Sequence, residues 1–450
     1  FPRDTAEVMT GAGMKAFVLP RPLPTPLLAF AIRDLDCVAG VMVTASHNPP
    51  QDNGYKVYLG AQLGGRHGAG AQIVPPADTG IEAAIRSVGS LTAVPLGPAG
   101  EVLDDSLVKE YLAGATAVVR PDGPRQLAVA YTPLHGVGAR VLTEAFRLAG
   151  FAAPAVVPEQ AEPDPSFPTV SFPNPEEPGA IDLAVGLGAA TGADLVIAND
   201  PDADRCAVAV PDPALDMPAD QPEGWRMLRG DEVGVLLADH LMRRGVPGLY
   251  ATTIVSSTLL RALATSRGVA CAETLTGFKW IVRASEETDA DLAFGYEEAL
   301  GYAVAPDLVR DKDGITAALL VAELAAELRT EGRTLVDRLA ELAAEFGRYG
   351  TDQLSVRVSD LSEIGTMMAR IRATPPGTLL DRAVTATDRL PEADVVTLTA
   401  EGLRVVVRPS GTEPKLKAYL EVVVPADAGP GRSAEALATL RAEIAAALGL

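Results

Sequence analysis

Residues 195–205 read LVIANDPDADR, in which a short apolar run stops at a polar segment carrying Asp200, Asp202 and Asp204. Runs of this kind are typical of buried strands that end in ligand-binding loops. Three other runs stop in the same way: residues 38–43 before TASHNPP, 292–294 before GYEEALGY, and 403–407 before RPSGTEPK. Helical stretches rich in Ala and Leu separate these runs, which is the pattern of βαβ units. We therefore predict an α/β protein.

The four polar segments are spaced far apart along the 450 residues of the chain. A length of this size corresponds to about three domains, with two to four allowed. Ligands of open α/β sheets bind outside the carboxyl ends of the strands. We therefore expect several domains around one cleft, with each segment contributing to a composite site.

The charge, the cysteines and the apolar stretches of the chain exclude several classes of protein. Asp and Glu total 59 against 38 Lys and Arg, a net charge of −21, which disfavours nucleic acid and anionic lipid as partners. Cys37, Cys206 and Cys271 form no CxxC pattern, which favours a reducing cytoplasm over a disulfide scaffold or a zinc ribbon. Charged or helix-breaking residues interrupt every apolar stretch, so we expect no membrane anchor.

Regions outside the four segments suggest further structure. Residues 154–178 are dense in proline and are expected to form an ordered wrapping loop, with a flexible linker as the alternative. Residues 433–448 have helical spacing and should pack as a core helix. The chain begins at Phe1 inside a stretch that reads as a helix, so we expect the natural N-terminus to lie upstream.

The alternating aspartates of NDPDADR suit a hard divalent cation. An extended loop can direct Asp200, Asp202 and Asp204 to one side, and Mg²⁺ prefers such oxygen ligands. A calcium EF-hand loop would need Gly at its sixth position and Glu at its twelfth, where this chain has Arg205 and Pro211. The remaining alternative is a solvated acidic turn.

Two other segments suggest phosphate chemistry. In TASHNPP the prolines force a turn that would expose the hydroxyl of Ser46, as a nucleophile or phosphoacceptor requires. The alternative, which the tripeptide alone favours, is a turn that caps the next helix. In RPSGTEPK the guanidinium of Arg408, the hydroxyls of Ser410 and Thr412 and the amides around Gly411 can form an anion nest. The alternative is a tight turn between strands.

The segment GYEEALGY carries two adjacent carboxylates that could bind the hydroxyl groups of a sugar. Glu297 and Glu298 can grip hydroxyl groups, or they can form an exposed acidic pair. In RDKDG, which follows it, Lys312 stands between two aspartates and can be read as a surface ion pair of little energetic value.

Taken together and in this order, TASHNP, DPDADR, GYEEALG with RDKDG, and RPSGTEPK resemble the motifs of the α-D-phosphohexomutase family, which includes phosphoglucomutase and phosphomannomutase. YTPLHGVG at residues 131–138 and TGFKW at 276–280 add to a match that covers nearly the whole chain.

The resemblance implies three related α/β domains with mixed sheets and a smaller α+β C-terminal domain around a central cleft. The expected domains are a phosphoserine domain at 1–122 whose N-terminal part is missing, a metal-binding domain at 123–226, a sugar-binding domain at 227–345, and a phosphate-binding domain at 346–450.

By matching motif positions, the resemblance implies that Ser46 is a phosphoserine that exchanges a phosphoryl group with the sugar. Mg²⁺ would be held by Asp200, Asp202 and Asp204 together with an oxygen of the phosphate on Ser46. A sugar 1,6-bisphosphate would serve as activator. The partners would be small phosphorylated sugars.

The same resemblance assigns the substrate-binding residues. Glu297 would bind the hydroxyls of the sugar ring, while the phosphate that is not transferred would bind Arg408, Ser410, Gly411 and Thr412.

The side chains expected to line the reaction centre are His47, Lys56, Arg205, Lys279 and Lys312. Lys56 is the first candidate for proton transfer.

Two departures from the family pattern bear on the substrate. Ala299 stands where many members carry a sugar-contacting serine, and Tyr302 stands where some carry a histidine, which resembles a subgroup of bisphosphate synthases and phosphopentomutases. The FGTxGxRG-type segment near the family's N-terminus has no counterpart here.

Three functions follow as hypotheses. The first is a magnesium-dependent phosphohexomutase acting on glucose or mannose phosphates, and the second is a sugar-1,6-bisphosphate synthase or phosphopentomutase of the same family. The third is a catalytically silent sugar-phosphate-binding protein. The residues leave the oligomeric state open.

Overall fold

The computed structural model describes residues 1–212, 224–411, 414–428 and 430–450. The chain divides into two compact units. The first unit comprises residues 1–252 and 269–336, and the second comprises residues 253–268 and 337–450. Helices and strands alternate through the first unit, as the α/β prediction requires.

The α-helices of the described residues are α1 Pro2–Gly11, α2 Thr25–Asp34, α3 Ala61–Gly68, α4 Ala77–Ser87, α5 Ser106–Thr116, α6 Ala139–Leu148, α7 Asp182–Thr191, α8 Gly230–Arg243, α9 Leu259–Arg267, α10 Phe278–Ile281, α11 Gly314–Thr330, α12 Leu335–Phe346, α13 Leu361–Ala373 and α14 Pro430–Leu448. Among these described helices, none combines the length and apolar character that a bilayer crossing requires.

The strands are β1 Phe17–Val18, β2 Ala39–Val43, β3 Tyr55–Leu59, β4 Ala71–Gln72, β5 Glu101–Val102, β6 Val129–Thr132, β7 Ala155–Val156, β8 Leu195–Ala198, β9 Ala207–Pro211, β10 Trp225–Met227, β11 Leu249–Thr253, β12 Ala270–Thr274, β13 Leu292–Glu297, β14 Gly301–Ala303, β15 Arg348–Arg357, β16 Thr378–Leu379, β17 Arg382–Ala383, β18 Thr385–Asp388, β19 Val396–Ala400, β20 Leu403–Pro409 and β21 Lys415–Val424.

A five-stranded mixed sheet carries the aspartate segment. Its order is β10-β9-β8-β6-β7, with β6 parallel to both β7 and β8 and with β9 antiparallel to β8 and β10. All residues of β6 and β8 are buried, which explains why LVIA shows no polar alternation. The aspartates follow β8 at its carboxyl end.

The proline-dense run at 154–178 agrees with an ordered loop. It contains β7, which lies at the edge of the sheet, and a single 3₁₀ turn at Pro158–Gln160. Gln160 is buried, accepts a hydrogen bond from Thr132 and donates one to Thr169 over 2.8 Å. These bonds anchor the run against the sheet.

Two further sheets of the first unit carry functional segments. The sheet β2-β3-β4 is antiparallel, and β2 leads into TASHNPP. The sheet β12-β11-β13-β14 pairs β11 and β13 in parallel and β13 and β14 as an antiparallel hairpin around GYEEALGY. The sheet that contains β11, β13 and β14 is therefore mixed, as is the five-stranded sheet of the aspartate segment, in agreement with the family resemblance.

The second unit is built on an antiparallel sheet of order β15-β21-β20-β19-β18. Alternating residues of its strands pack with α13 and α14 in one apolar core that includes Ile371, Leu398, Val405 and Ile444. The expected C-terminal helix is confirmed, and α14 begins slightly earlier than predicted, at Pro430.

Helix α11 begins at a buried cap. The carboxylate of Asp313 accepts hydrogen bonds from the backbone N–H groups of Ile315 and Thr316, at 3.0 and 3.2 Å. The buried hydroxyl of Tyr111 donates to the same carboxylate at 2.9 and 3.0 Å. An N-cap of this kind satisfies amides that the helix itself cannot pair.

We predict that the free energy of unfolding of Asp313→Ala is about 2 kcal/mol lower than that of Asp313→Asn at neutral pH. Asparagine keeps an acceptor for the two amides and for Tyr111, whereas alanine keeps none. Denaturant titrations of the two variants measure the difference, and equal stabilities would contradict the cap.

Wild type should also lose stability relative to Asp313→Asn as the pH rises from about 4 to about 6, which is the interval between the unfolded and the folded pKa of Asp313. Burial raises the pKa of Asp313 to about 6 despite its hydrogen bonds. A raised folded-state pKa means that the folded protein binds the proton more tightly, so this contribution is lost as the pH rises through that value. A pH-independent difference between the two proteins would contradict this assignment.

Candidate active site

The hydroxyl of Ser46 lies in a constrained turn directly after β2. Ser46 has a left-handed backbone, with φ 51°, a conformation that costs energy for a residue other than glycine. The turn is held by a hydrogen bond of 2.8 Å from the Ser46 amide to the hydroxyl of Thr44. The Ser46 hydroxyl donates to Asp200 Oδ2 over 2.7 Å and lies 3.1 Å from His47 Nδ1.

Three carboxylates converge on one point in the loop after β8. One oxygen each from Asp200, Asp202 and Asp204 lie within 4.8 Å of one another, and all three residues are buried. Asp202 Oδ1 and Asp204 Oδ1 are buried and accept no hydrogen bond from the described residues. Buried like charges with spare oxygens fit a hard divalent cation, so these residues suit Mg²⁺.

The aspartate loop is fixed by distant parts of the first unit. Thr25 donates its hydroxyl to Asp202 Oδ2 over 2.7 Å, and its amide donates to the Asp202 carbonyl over 2.9 Å. Gly314, the first residue of α11, packs so closely that a β-carbon there would overlap the carbonyl oxygen of Arg205. These contacts restrict the loop, so the three carboxylates have little freedom to move apart and reduce their repulsion.

Two lysines face the same carboxylates. Lys56 Nζ lies 2.7 Å from Asp202 Oδ2 and 3.0 Å from Asp204 Oδ2, and Lys312 Nζ lies 3.3 Å from Asp204 Oδ2. Burial lowers the pKa of both ammonium groups. The charges of Asp202 and Asp204 outweigh this effect at Lys56, and those of Asp204 and Asp311 do so at Lys312. Both lysine pKa values therefore rise. Both residues are charged at neutral pH.

His47 and Arg205 complete the surroundings of the Ser46 hydroxyl. Burial, reinforced by the charge of Arg205, lowers the pKa of His47 to about 2, so the imidazole is neutral. Arg205 reaches the site with long contacts, 3.9 Å to Asp200 and 3.6 Å to Glu176. Its guanidinium can therefore donate to a ligand.

A cavity of about 300 Å³ opens onto these groups. Its lining residues are Ser46, His47, Lys56, Gln72, Asp204, Arg205, Gly277, Phe278, Lys279, Glu297 and Lys312. Burial raises the pKa of Glu297, and the neighbouring Glu298 adds to this while Lys312 opposes it. Four cations, two carboxylates and a hydroxyl in one pocket can bind a phosphorylated, hydroxyl-rich molecule.

The predicted residues of RPSGTEPK belong to the second unit. Arg408 is in β20, opposite Lys417 of β21, and the amide of Ser410 donates to the Lys415 carbonyl over 2.8 Å. Gly411 is exposed in the turn that follows. Thr412 lies outside the described residues.

The interpretation of Lys312 as a surface ion pair is wrong. Lys312 and the flanking Asp311 and Asp313 are all buried, and Lys312 lines the cavity just before α11 begins. A burial prediction was not accessible from RDKDG, since such a charged pentapeptide is usually exposed.

Several residues of the site were not predicted from the sequence. Gln72 lines the cavity, Thr25 donates a hydrogen bond to Asp202, and Tyr58 donates one to Asp311. Each lies in an ordinary segment, far along the chain from its partner, and carries no local motif. Asp311 belongs to RDKDG, but the sequence pattern indicates no role for it.

Models of four domain types match the chain in order. They are described as phosphoglucomutase/phosphomannomutase alpha/beta/alpha domain I at residues 1–90, domain II at 109–213, domain III at 229–346, and the C-terminal domain at 353–447. The predicted family resemblance and fold class are confirmed.

Individual proteins agree with these matches. The chain is 47% identical over 432 residues to a Haemophilus influenzae protein named "Probable phosphomannomutase", covering 94% of this chain and 85% of that one. It is 34% identical over 489 residues to human phosphopentomutase, covering 96% and 75%. The Paramecium phosphoglucomutase pp63/parafusin in its open form shares the fold, with a TM-score of 0.75 at 18% identity over 99% of this chain and 85% of that one.

We predict that Mg²⁺ stabilises the protein through the three aspartates. At about 100 times its dissociation constant, a bound cation adds about 2.7 kcal/mol. Asp200→Asn should remove most of this gain. Without the cation, the same variant should be at least as stable as wild type. Burial, followed by the charges of Asp202 and Asp204, raises the pKa of Asp200, and a neutral amide avoids both unfavourable effects.

Thermal unfolding with EDTA and with Mg²⁺ provides the measurement. Asp313→Asn is the matched control, since it removes a buried carboxylate outside the three aspartates and should keep the full Mg²⁺ response. An equal Mg²⁺ response in Asp200→Asn and wild type would rule out this metal site.

Proposed function

The chain belongs to the phosphoglucomutase/phosphomannomutase family, whose members are intramolecular phosphotransferases. Within this family, we propose that it is a magnesium-dependent phosphohexomutase. It would interconvert the 1-phosphate and 6-phosphate of glucose or mannose through a phosphoserine at Ser46 and a bisphosphorylated sugar. The observation that carries the proposal is the Ser46 hydroxyl, 2.7 Å from Asp200, at the mouth of a cationic cavity.

Ser46 is suited to carry the phosphoryl group. Its backbone is left-handed in the turn after β2, and its side chain lines the cavity. In the first half-reaction the O–P bond of the phosphoserine breaks, and a sugar hydroxyl forms the new O–P bond. The proton of that hydroxyl leaves, and the Ser46 oxygen gains one. The second half-reaction reverses these changes at the other end of the bisphosphate.

Cations of this chain would neutralise the phosphoryl oxygens during transfer. Lys279, Lys312 and Arg205 all line the cavity, and Arg205 has donors to spare. Such positioning and charge stabilisation account for most of phosphoryl-transfer catalysis. Mg²⁺, held by Asp200, Asp202, Asp204 and a phosphate oxygen on Ser46, would supply further positive charge at the transferring group.

Lys56 remains the first candidate for proton transfer. It is charged, it pairs with Asp202 and Asp204, and it lines the same cavity as Ser46, so it can donate a proton to the departing serine oxygen. His47 is neutral and close to that oxygen, and its role would be to orient the hydroxyl.

The sugar and its second phosphate would bind to different segments. Glu297 lines the cavity and would accept hydrogen bonds from ring hydroxyls. Arg408, Ser410, Gly411 and Thr412 would bind the phosphate that is not transferred. A bisphosphate must reverse its orientation between half-reactions, which favours separate grips for sugar and phosphate.

A phosphopentomutase is the second candidate. It is supported by the relatives of that name and by Ala299, which provides no hydroxyl where many family members have a serine. The cavity of about 300 Å³ is at the lower end of ligand pockets and suits either a pentose or a hexose phosphate.

The rest of the biochemical setting follows the sequence predictions. A sugar 1,6-bisphosphate would prime Ser46, small phosphorylated sugars would be the partners, and the cytoplasm would be the location. The four functional domains would divide at about residues 122, 226 and 345, as the sequence predicts.

We predict that glucose 1,6-bisphosphate with Mg²⁺ phosphorylates the peptide containing Ser46. Mass spectrometry should detect one added phosphate in wild type and none at this position in Ser46→Ala, whose mutase activity should fall by roughly 10³-fold or more. Ser90→Ala, at an exposed serine, should behave like wild type.

Discharge of the labelled protein identifies the substrate. Glucose 6-phosphate or mannose 6-phosphate should remove the phosphate faster than ribose 5-phosphate, and the reverse order would favour the phosphopentomutase. Binding of these sugars without phosphorylation of Ser46 would instead favour the catalytically silent protein.

A further inference from the structure

Lys312 stands between two buried aspartates, each of which is bonded to its own buried tyrosine. Tyr58 of β3 donates to Asp311 Oδ2 over 2.6 Å, and Tyr111 of α5 donates to Asp313 at 2.9 and 3.0 Å. Both tyrosine side chains are fully buried. The two pairs are alike in chemistry and adjacent in sequence, but their carboxylates face different neighbours.

The carboxylate of Asp311 is bound on several sides. Besides Tyr58, Gln72 Nε2 donates to Oδ2 over 3.0 Å, and the Lys312 amide donates to Oδ1 over 2.8 Å. Burial raises the pKa of Asp311, but the charges of Lys312 and Lys56 and these hydrogen bonds lower it below its usual range. Asp311 is therefore a fixed negative charge.

This charge acts on the ammonium of Lys312. Asp311 Oδ1 lies 3.7 Å from Lys312 Nζ, which also lies 3.3 Å from Asp204 Oδ2. The Lys312 ammonium is 5.5 Å from the centre of the Phe278 ring. The methylene chain of Lys312 passes so close to Gly301 that a β-carbon there would overlap Cδ. The two carboxylates therefore hold the position of the Lys312 ammonium, and the contact with Gly301 restricts its methylene chain.

The carboxylate of Asp313 faces elsewhere. Its bonds go to the amides of Ile315 and Thr316 and to Tyr111, so it caps α11. Among the described ion pairs of Lys312, the partners are Asp204 and Asp311. The two tyrosines therefore support different elements, one a helix end and the other a charged side chain of the cavity.

We propose that Tyr58 is a positioning residue for phosphoryl transfer, because its hydroxyl orients Asp311, which holds the Lys312 ammonium against the cavity. The inference rests on the proposed function, since it assigns Lys312 to the transferring phosphoryl group. Tyr58 itself does not line the cavity. Its influence on the reaction passes through Asp311 and Lys312.

Tyr58→Phe tests this inference by removing one hydroxyl with little change in volume. Displacement of a positioned group by about 1 Å can cost up to about 10²-fold in rate. We expect kcat of the full-length protein to fall about ten-fold. KM for the sugar phosphate should change less than about two-fold, since the grips on the sugar and on its second phosphate are intact.

Tyr111→Phe is the matched control. It removes the same hydroxyl from a buried tyrosine bonded to the neighbouring aspartate, so it should lower the unfolding temperature by a similar amount while leaving kcat unchanged. Asp311→Asn is the second test variant, because it keeps an acceptor for Tyr58 and removes the charge that attracts Lys312. It should lower kcat at least as much as Tyr58→Phe, with KM again little changed.

The outcomes separate this inference from the proposed function. Loss of kcat in Tyr58→Phe and Asp311→Asn, but not in Tyr111→Phe, would support the positioning role. Wild-type kcat in Tyr58→Phe, or an equal loss in Tyr111→Phe, would overturn it and leave the mutase assignment intact. If Tyr58→Phe fails to fold, Asp311→Asn decides by the same split of kcat and KM. Absence of phosphoryl transfer in wild type would overturn the proposed function and this inference with it.

Discussion

Three like charges are buried in one short loop, and the groups around this loop are arranged to compensate for them. Asp200, Asp202 and Asp204 repel one another, and desolvation increases the free-energy cost of keeping them ionised. The fold offsets part of this cost with lysine ammonium groups and with hydroxyl donors such as Thr25. The oxygens that receive no hydrogen bond leave room for a cation to offset more of it.

The same constraint explains how a protein with a net charge of −21 can attract phosphate. The cations of the cavity are concentrated there by the buried aspartates, which keep the lysines protonated. The local field in the cavity therefore differs from the average field of the protein surface. Mean charge is a guide to macromolecular partners, whereas a small ligand senses the few groups that line its pocket.

Much of the fold and of the site could be predicted from short patterns. LVIA could be recognised as a buried strand because both faces of β8 are covered, and the alternation of aspartates already indicated a cation site. Partners separated by long stretches could not be predicted, since nothing in the neighbourhood of Tyr58 indicates that its hydroxyl meets Asp311. The local pattern RDKDG does not predict the burial of Lys312 either, because a charge pattern does not report which elements cover it; the family resemblance alone placed Lys312 at the reaction centre.

The bond between Thr25 and Asp202 joins residues 177 positions apart, and the bond between Tyr58 and Asp311 joins residues 253 positions apart. Contacts of such high sequence separation require closure of long loops, whose entropy is lost before the contact stabilises the chain. While a nascent chain is still being synthesised, the residues that precede Asp311 can fold locally, but they lack the segment that completes the pocket. Competence for chemistry should therefore be acquired late in synthesis, long after the first strand of the site has emerged.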